Sequence, residues 1–221
     1  MTPAPPRIQI TGRARSGKST VRNALSLISA EETLPVDDPA HPDPVFDADL
    51  YLYVLPGTLH PADRRILATL PSTRTLVILN KADAIGTHWS DAATAAESHT
   101  ETLALPVFPL VGSMAARTRT TTVTPEDLAT LHNHLHHPDP PLTLSADLFT
   151  SPTLSPDAQA RQSLLTRWPL YGISCALVAL RRDPSLSSAA LLQILHGATG
   201  IDPLHQHLYR LYQQVTASPQ P

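Results

Sequence analysis

The chain has 221 residues, 42% of them hydrophobic, enough to bury a core and too apolar for wholesale disorder. A net charge of -3 and the lack of a long basic run argue against a nucleic-acid partner. The single cysteine, Cys175, has no intrachain mate, which fits a reducing cytosol. Residues 1–6 carry no apolar signal core, and the longest apolar stretch, 169–180, is too short to cross a bilayer. The expectation is a cytoplasmic protein that meets a membrane, if at all, peripherally.

In chain order, residues 7–11 predict a short strand and 19–30 a helix, joined by a glycine-bearing turn. A weak strand follows at 32–37 and ends in the turn-rich stretch 38–44. Residues 50–55 predict a buried strand. Residues 61–70 predict a helix on which Asp63-Arg64-Arg65 reads as a solvated face. A second apolar strand spans 76–79. Then come a helix at 90–103 with Ser90 as N-cap, a last strand at 107–111 and a helix at 125–136 capped by Thr124. Strands without polar alternation, separated by helices, imply a parallel sheet covered on both faces. The predicted class is α/β, doubly wound and mostly parallel. Residues 138–156 read as a Pro/Ser/Thr-rich linker. Beyond it lie a long helix at 157–182, kinked at Pro169, and shorter helices at 188–196 and 203–215.

Gly12-Arg13-Ala14-Arg15-Ser16-Gly17-Lys18-Ser19 fits the pattern G-x-x-x-x-G-K-[ST], with Thr20 next. Four residues between the glycines let backbone N–H groups wrap a phosphate, and the helix that follows points its positive end at the same place. Lys18 would reach the outer phosphates and the Ser19 hydroxyl would bind Mg²⁺. Composition sharpens this. Lys18 and Lys81 are the only lysines in a chain whose other strong cations are arginines, and a retained ammonium suggests a site that a flat guanidinium cannot serve.

The second lysine sits in Asn80-Lys81-Ala82-Asp83, an N-K-x-D motif directly after an apolar strand. A carboxylate at Asp83 can accept from both N1–H and the 2-amino group of guanine. Adenine offers neither donor, so a site built this way discriminates strongly.

Residues 48–55, 63–67 and 76–83 together resemble the Era and dynamin-like branch of translation-factor-class P-loop GTPases, over about residues 7–115. The tail, through Arg161, Leu164-Leu165, Arg167, Tyr171-Gly172 and Thr199-Gly200-Ile201-Asp202, resembles more loosely the tails of actinobacterial dynamin-like GTPases. The resemblance implies a shortened GTP-binding domain over 1–137, the linker, and a C-terminal helical extension over 157–221. It implies GTP and GDP as ligands, Mg²⁺ as cofactor and slow hydrolysis to GDP and phosphate. It also implies a homologous GTPase or a second copy as partner, and peripheral membrane contact. A catalytically degenerate regulatory or structural partner is the alternative.

The family's D-x-x-G switch has its best counterpart in Asp37-Asp38-Pro39-Ala40, where Asp37 would hold the magnesium water; Asp37 in a plain acidic turn stays an equal reading. Ala40 stands in place of the γ-phosphate-sensing glycine, and too few residues separate Lys18 from Asp37 for the usual first switch. The last guanine loop would fall at Gly112 and Ser113, in a register ambiguous by one residue. For catalysis, His41 follows the degenerate switch, where relatives place a water-orienting residue. Arg15 matches the position of a cis arginine finger in guanylate-binding proteins. A solvated loop histidine and a surface arginine are the alternatives. His132 and His136, one helical turn apart, can share a metal or simply favour the helix dipole.

Overall fold

The computed structural model describes residues 5–41, 44–136, 143–154 and 156–217. Its sheet has five strands, β1 (Ile8–Gly12), β2 (Glu31–Glu32), β3 (Leu50–Leu55), β4 (Thr75–Asn80) and β5 (Val107–Leu110). Their order is β2-β1-β3-β4-β5 and every pairing is parallel. The expectation of an α/β fold with a mostly parallel sheet therefore holds, and this sheet is parallel throughout. The helices are α1 (Lys18–Ala24), α2 (Pro61–Leu67), α3 (Trp89–Leu103), α4 (Gly112–Thr120), α5 (Pro125–Leu135), α6 (Ala146–Phe149), α7 (Ala158–Arg167), α8 (Leu170–Arg182), α9 (Ser188–Gly197) and α10 (Ile201–Ala217).

Alternate residues of the central strands face opposite sides, and both sides are apolar. Leu50, Leu52 and Val54 pack with Ile10, Ile78, Val21 and Ala24 of α1, and Ile201, Leu204, Leu208 and Leu211 of α10. Tyr51, Tyr53 and Leu55 pack on the other side with Val77, Leu79, Ile66 and Leu67 of α2, and Ala96 of α3. Helices thus cover both faces, which is why the strands show no polar alternation. Each such buried aliphatic side chain contributes about 1.5–3 kcal/mol. The strand ends that carry the motifs are correspondingly rigid.

Contacts divide the chain into two compact units, residues 1–116 with 200–221, and residues 117–199. The packing thus divides the chain elsewhere than at the linker suggested by the sequence. Ile201, Leu204, Leu208 and Leu211 recur at helical spacing, so α10 lays an apolar stripe on the sheet and belongs with the first unit. Part of the expected linker, residues 138–142 and 155, lies outside the described residues; Ala146–Phe149 within it is helical.

The second unit holds α5 to α9. The helix expected at 157–182 is two, α7 and α8, at 110° to each other. Trp168, before Pro169, is extended (φ -126°, ψ 134°), because the proline ring disfavours helical backbone in the residue preceding it. Asp127 locks this unit, accepting from Thr124 N–H (3.0 Å), Trp168 Nε1 (3.2 Å) and Arg167 Nη2 (3.2 Å). One helix start and one helix end also moved. α3 is capped at His88, whose N–H donates to Asp91 (2.9 Å), rather than at Ser90, while α1 stops early, before Ser26 at φ 54°. Among the described residues, no single helix is long and apolar enough to cross a membrane.

Candidate functional site

The loop from Gly12 to Ser19 joins the carboxyl end of β1 to the start of α1. Both its glycines are needed. Gly12 (φ 144°) lies so close to β3 that a Cβ would run into the Val54 carbonyl oxygen, and a Cβ on Gly17 (φ 93°) would strike the Asn80 amide. The loop is closed by its own lysine, since Lys18 Nζ donates to the carbonyls of Gly12 (3.0 Å) and Arg13 (3.2 Å). Burial lowers the Lys18 pKa, and the nearby charges of Glu32 and Asp37 oppose that shift.

One flank of the loop is held by β4. Asn80, buried at the end of that strand, donates from Nδ2 to Ser16 O (2.9 Å) and accepts at Oδ1 from Gly112 N–H (3.2 Å). It therefore ties the glycine loop to the start of α4. A Cβ on Gly112 would come within 2.7 Å of the same Oδ1. Lys81, in left-handed backbone at φ 60°, donates from Nζ to Arg15 O (3.0 Å). Asp83 follows in the 3-10 turn Ala82–Ala84. Its surface is open to solvent, yet the protein around it desolvates the carboxyl and raises its pKa, against its own backbone N–H and the Lys81 charge. Ser113 is exposed in the first turn of α4, so the expected last loop is the start of a helix here. Asn80 and Lys81 thus meet Ser16 and Arg15 directly, and Gly112 meets Asn80.

The opposite flank is built by β2 and the segment after it. Ser19 Oγ donates to Glu32 Oε2 (2.7 Å), and the other Glu32 oxygen pairs with Arg22 (3.1 Å). The chain then runs beside β1, with Thr33 N–H on Ile10 O (3.0 Å) and Val36 N–H on Gly12 O (3.3 Å). This brings Asp37 Oδ1 onto the Ala14 N–H at 2.7 Å. His41 stays in the next turn, its Nδ1 3.5 Å from Asp38 Oδ2 and its side chain 62% exposed, with Ala40 N–H on Asp38 Oδ1 (2.9 Å).

Arg13 and Arg15 have different surroundings. Arg15 is exposed in left-handed backbone (φ 57°) and its guanidinium has no partner among the described residues. Arg13 is held down. Its Nε lies 3.0 and 3.1 Å from the Asp63 oxygens and its Nη2 donates to Thr58 O (3.0 Å). Asp63 also accepts from Tyr53 Oη (2.8 Å) and His60 N–H (2.8 Å), and it is 0% exposed. The expected solvated face at Asp63-Arg64-Arg65 is therefore wrong for its first residue. A carboxylate satisfied by a cation, a phenol and a backbone amide tolerates burial, whereas an unpaired one does not. Burial, then the Asp63 charge, raises the Tyr53 pKa.

Sequence reasoning missed Glu32, Tyr53 and Asp63. The last had a signal, a position three residues after the N-cap His60 with Pro61 between, where an acid caps a helix. For a divalent cation, the Ser19 hydroxyl beside the Glu32 carboxylate is a hard-oxygen pair that fits Mg²⁺, whereas the expected ligand Asp37 sits on the Ala14 N–H. Among the described residues no group of three or more His, Cys, Asp or Glu forms a protein cage. Magnesium is usually held through one or two protein oxygens plus waters and phosphates, so the pair fits it. No protein-family model matches the chain, and no curated protein matches it.

Proposed function

We propose that this chain is a P-loop guanine-nucleotide-binding protein of dynamin-like type that hydrolyses GTP slowly to GDP and phosphate and serves as a nucleotide-dependent switch or assembly subunit. One observation carries this reading. Asn80 and Lys81 are hydrogen-bonded to the backbone of the Gly12–Ser19 loop, at Ser16 and Arg15, so a base-reading segment and a phosphate-wrapping loop form one assembly. β4 and β1 are separated only by β3, about 10 Å in all. That span suits a nucleotide whose purine lies beside Asp83 and whose phosphates lie over the glycine loop.

In this role the loop amides and Lys18 hold the phosphates, and Asp83 accepts from guanine. Gly112 and Ser113 border the base through α4. Ser19 and Glu32 would hold Mg²⁺, which supplies charge neutralisation to the phosphates when bound. In hydrolysis water bonds to the terminal phosphorus while the bond to the bridging oxygen breaks, leaving GDP and phosphate. Arg15, whose guanidinium has no partner among the described residues, would offset charge on the leaving oxygens. The second reading, a degenerate partner of a complete GTPase that binds nucleotide with little turnover, is favoured by His41, which is engaged with Asp38 rather than with the loop. The unit of residues 117–199 would carry contacts to such a partner, to a second copy or to a membrane surface.

Calorimetric titration with GTP, GDP and ATP in the presence of Mg²⁺ tests guanine recognition. Guanine nucleotides should bind about 100-fold or more tighter than ATP, because adenine leaves the Asp83 carboxylate unpaired. Equal affinities would contradict it.

A further inference from the structure

β5 is an edge strand of the sheet. Pro106 O accepts from Val77 N–H (3.1 Å), so Pro106, Phe108 and Leu110 turn their backbone toward β4, while Val107 and Pro109 turn theirs outward. That outward side offers no N–H. The Val107 N–H is taken by Thr100 Oγ1 of α3 (3.2 Å), and Pro109 has none. Thr100 in turn donates to Ala96 O (2.9 Å). A strand added here would leave its own carbonyls unmet, so the edge is closed to sheet extension.

Between α3 and this edge runs a groove of about 380 Å³. Ala93, Ala96, Val107 and Pro109 give it an apolar floor, and Glu97 and Glu101 stand exposed along it, one helical turn apart. Neither carboxylate has a partner among the described residues, and α3 carries no Lys or Arg. Toward the start of α3, Trp89 is 38% exposed. A Cβ on Gly200 would strike both its ring and the Pro109 carbonyl, so the indole closes that end. From Trp89 to Glu101 the helix spans about 18 Å, or three turns. The groove therefore joins small apolar side chains, which let another backbone come close, to hydrogen-bonding groups that only accept.

We propose that this groove docks a helix of a partner protein through two arginines, one on Glu97 and the other on Glu101. A helix bonds its own backbone and needs no N–H from β5. Arginine suits the two acids because its planar fork pairs with a carboxylate through two N–H groups at once. The partner is a different protein, since none of this chain's described helices carries two arginines three or four residues apart. Thr100 and Val107 meet at the amino end of β5, opposite the strand ends that carry the glycine loop, so docking here leaves the nucleotide site open.

The test titrates the full chain, at low salt, into a fluorescein-labelled alanine-based helical peptide with two arginines four residues apart. A control peptide carries glutamate at both places. Anisotropy should show saturable binding of the arginine peptide, about tenfold or more tighter than the control. Glu97→Gln combined with Glu101→Gln should weaken that binding about tenfold, about threefold for each exposed pair. Both side chains are exposed, so these changes leave the core intact. Equal binding of the two peptides, none included, or no loss in the double variant would overturn the proposal. A proline-containing peptide with arginines at alternate positions that binds as tightly would overturn the helical partner. Self-association of the chain in light scattering, abolished in the double variant, would give the groove to a second copy instead.

Discussion

The glycine loop has two flanks, and they are organised on opposite principles. On the β4 side a buried neutral amide and an ammonium reach the loop from the end of a buried strand, each donating to a loop carbonyl, at Ser16 and Arg15. On the β2 side the strand is two residues long, and the loop is met by carboxylates, Asp37 on an N–H and Glu32 on a hydroxyl. The first flank fixes the loop and leaves its amides alone. The second places negative charge where an anionic ligand would go. On the nucleotide reading, a base would meet neutral and cationic donors and a polyphosphate would meet carboxylates.

The largest effect expected from breaking either flank lies beneath it. Asp63→Ala removes the buried partner of Arg13 and of the Tyr53 hydroxyl; urea unfolding should show a loss of about 3 kcal/mol. A loss under about 1 kcal/mol would mean that solvent reaching Arg13 replaces the pair. On the β4 flank, Asn80→Ala leaves Ser16 O and Gly112 N–H unmet in a buried setting, which should cost about 2 kcal/mol by the same measurement. It should also weaken GDP binding, whereas a stability loss with unchanged binding would separate the amide from the site.

The effect of pH on this flank has a definite sign. The Asp83 pKa is raised above the ordinary carboxylate value, chiefly by desolvation. The folded chain then holds a proton that the unfolded chain has released, so this group's contribution to stability falls as pH rises from the unfolded to the folded pKa. GDP needs the ionised form, so affinity should rise over the same range. Calorimetry across acidic pH should show that limb in the unaltered chain and not in Asp83→Asn. The smallest expected effect concerns turnover. Arg15→Ala should slow hydrolysis about tenfold in a phosphate-release assay, through lost charge at the leaving oxygens.

The two flanks were unequally legible in the sequence. Gly12, Lys18, Asn80 and Lys81 belong to patterns in which spacing alone fixes a loop, and apolar strands at 50–55 and 76–79 announced a sheet covered on both faces. Glu32 was invisible because a two-residue edge strand has no periodicity, and its meeting with Ser19 depends on pairing with β1. Asp63 looked solvated because burial of an acid is decided by partners remote in sequence, Arg13 and Tyr53. The position of α10 was hidden for a related reason. Its apolar stripe was readable, but a helix at the chain's end gives no sign of which surface will cover it.

Guanine selection by one carboxylate beside the loop can be tested by inverting it. In Asp83→Asn the amide still accepts from N1–H but now donates, which suits the 2-oxo group of xanthine and not the 2-amino group of guanine. Competition between GDP and xanthosine diphosphate should reverse, from strong preference for GDP in the unaltered chain to preference for xanthosine diphosphate in the variant. An unchanged preference in a variant that still binds nucleotide would show that Asp83 does not read the base.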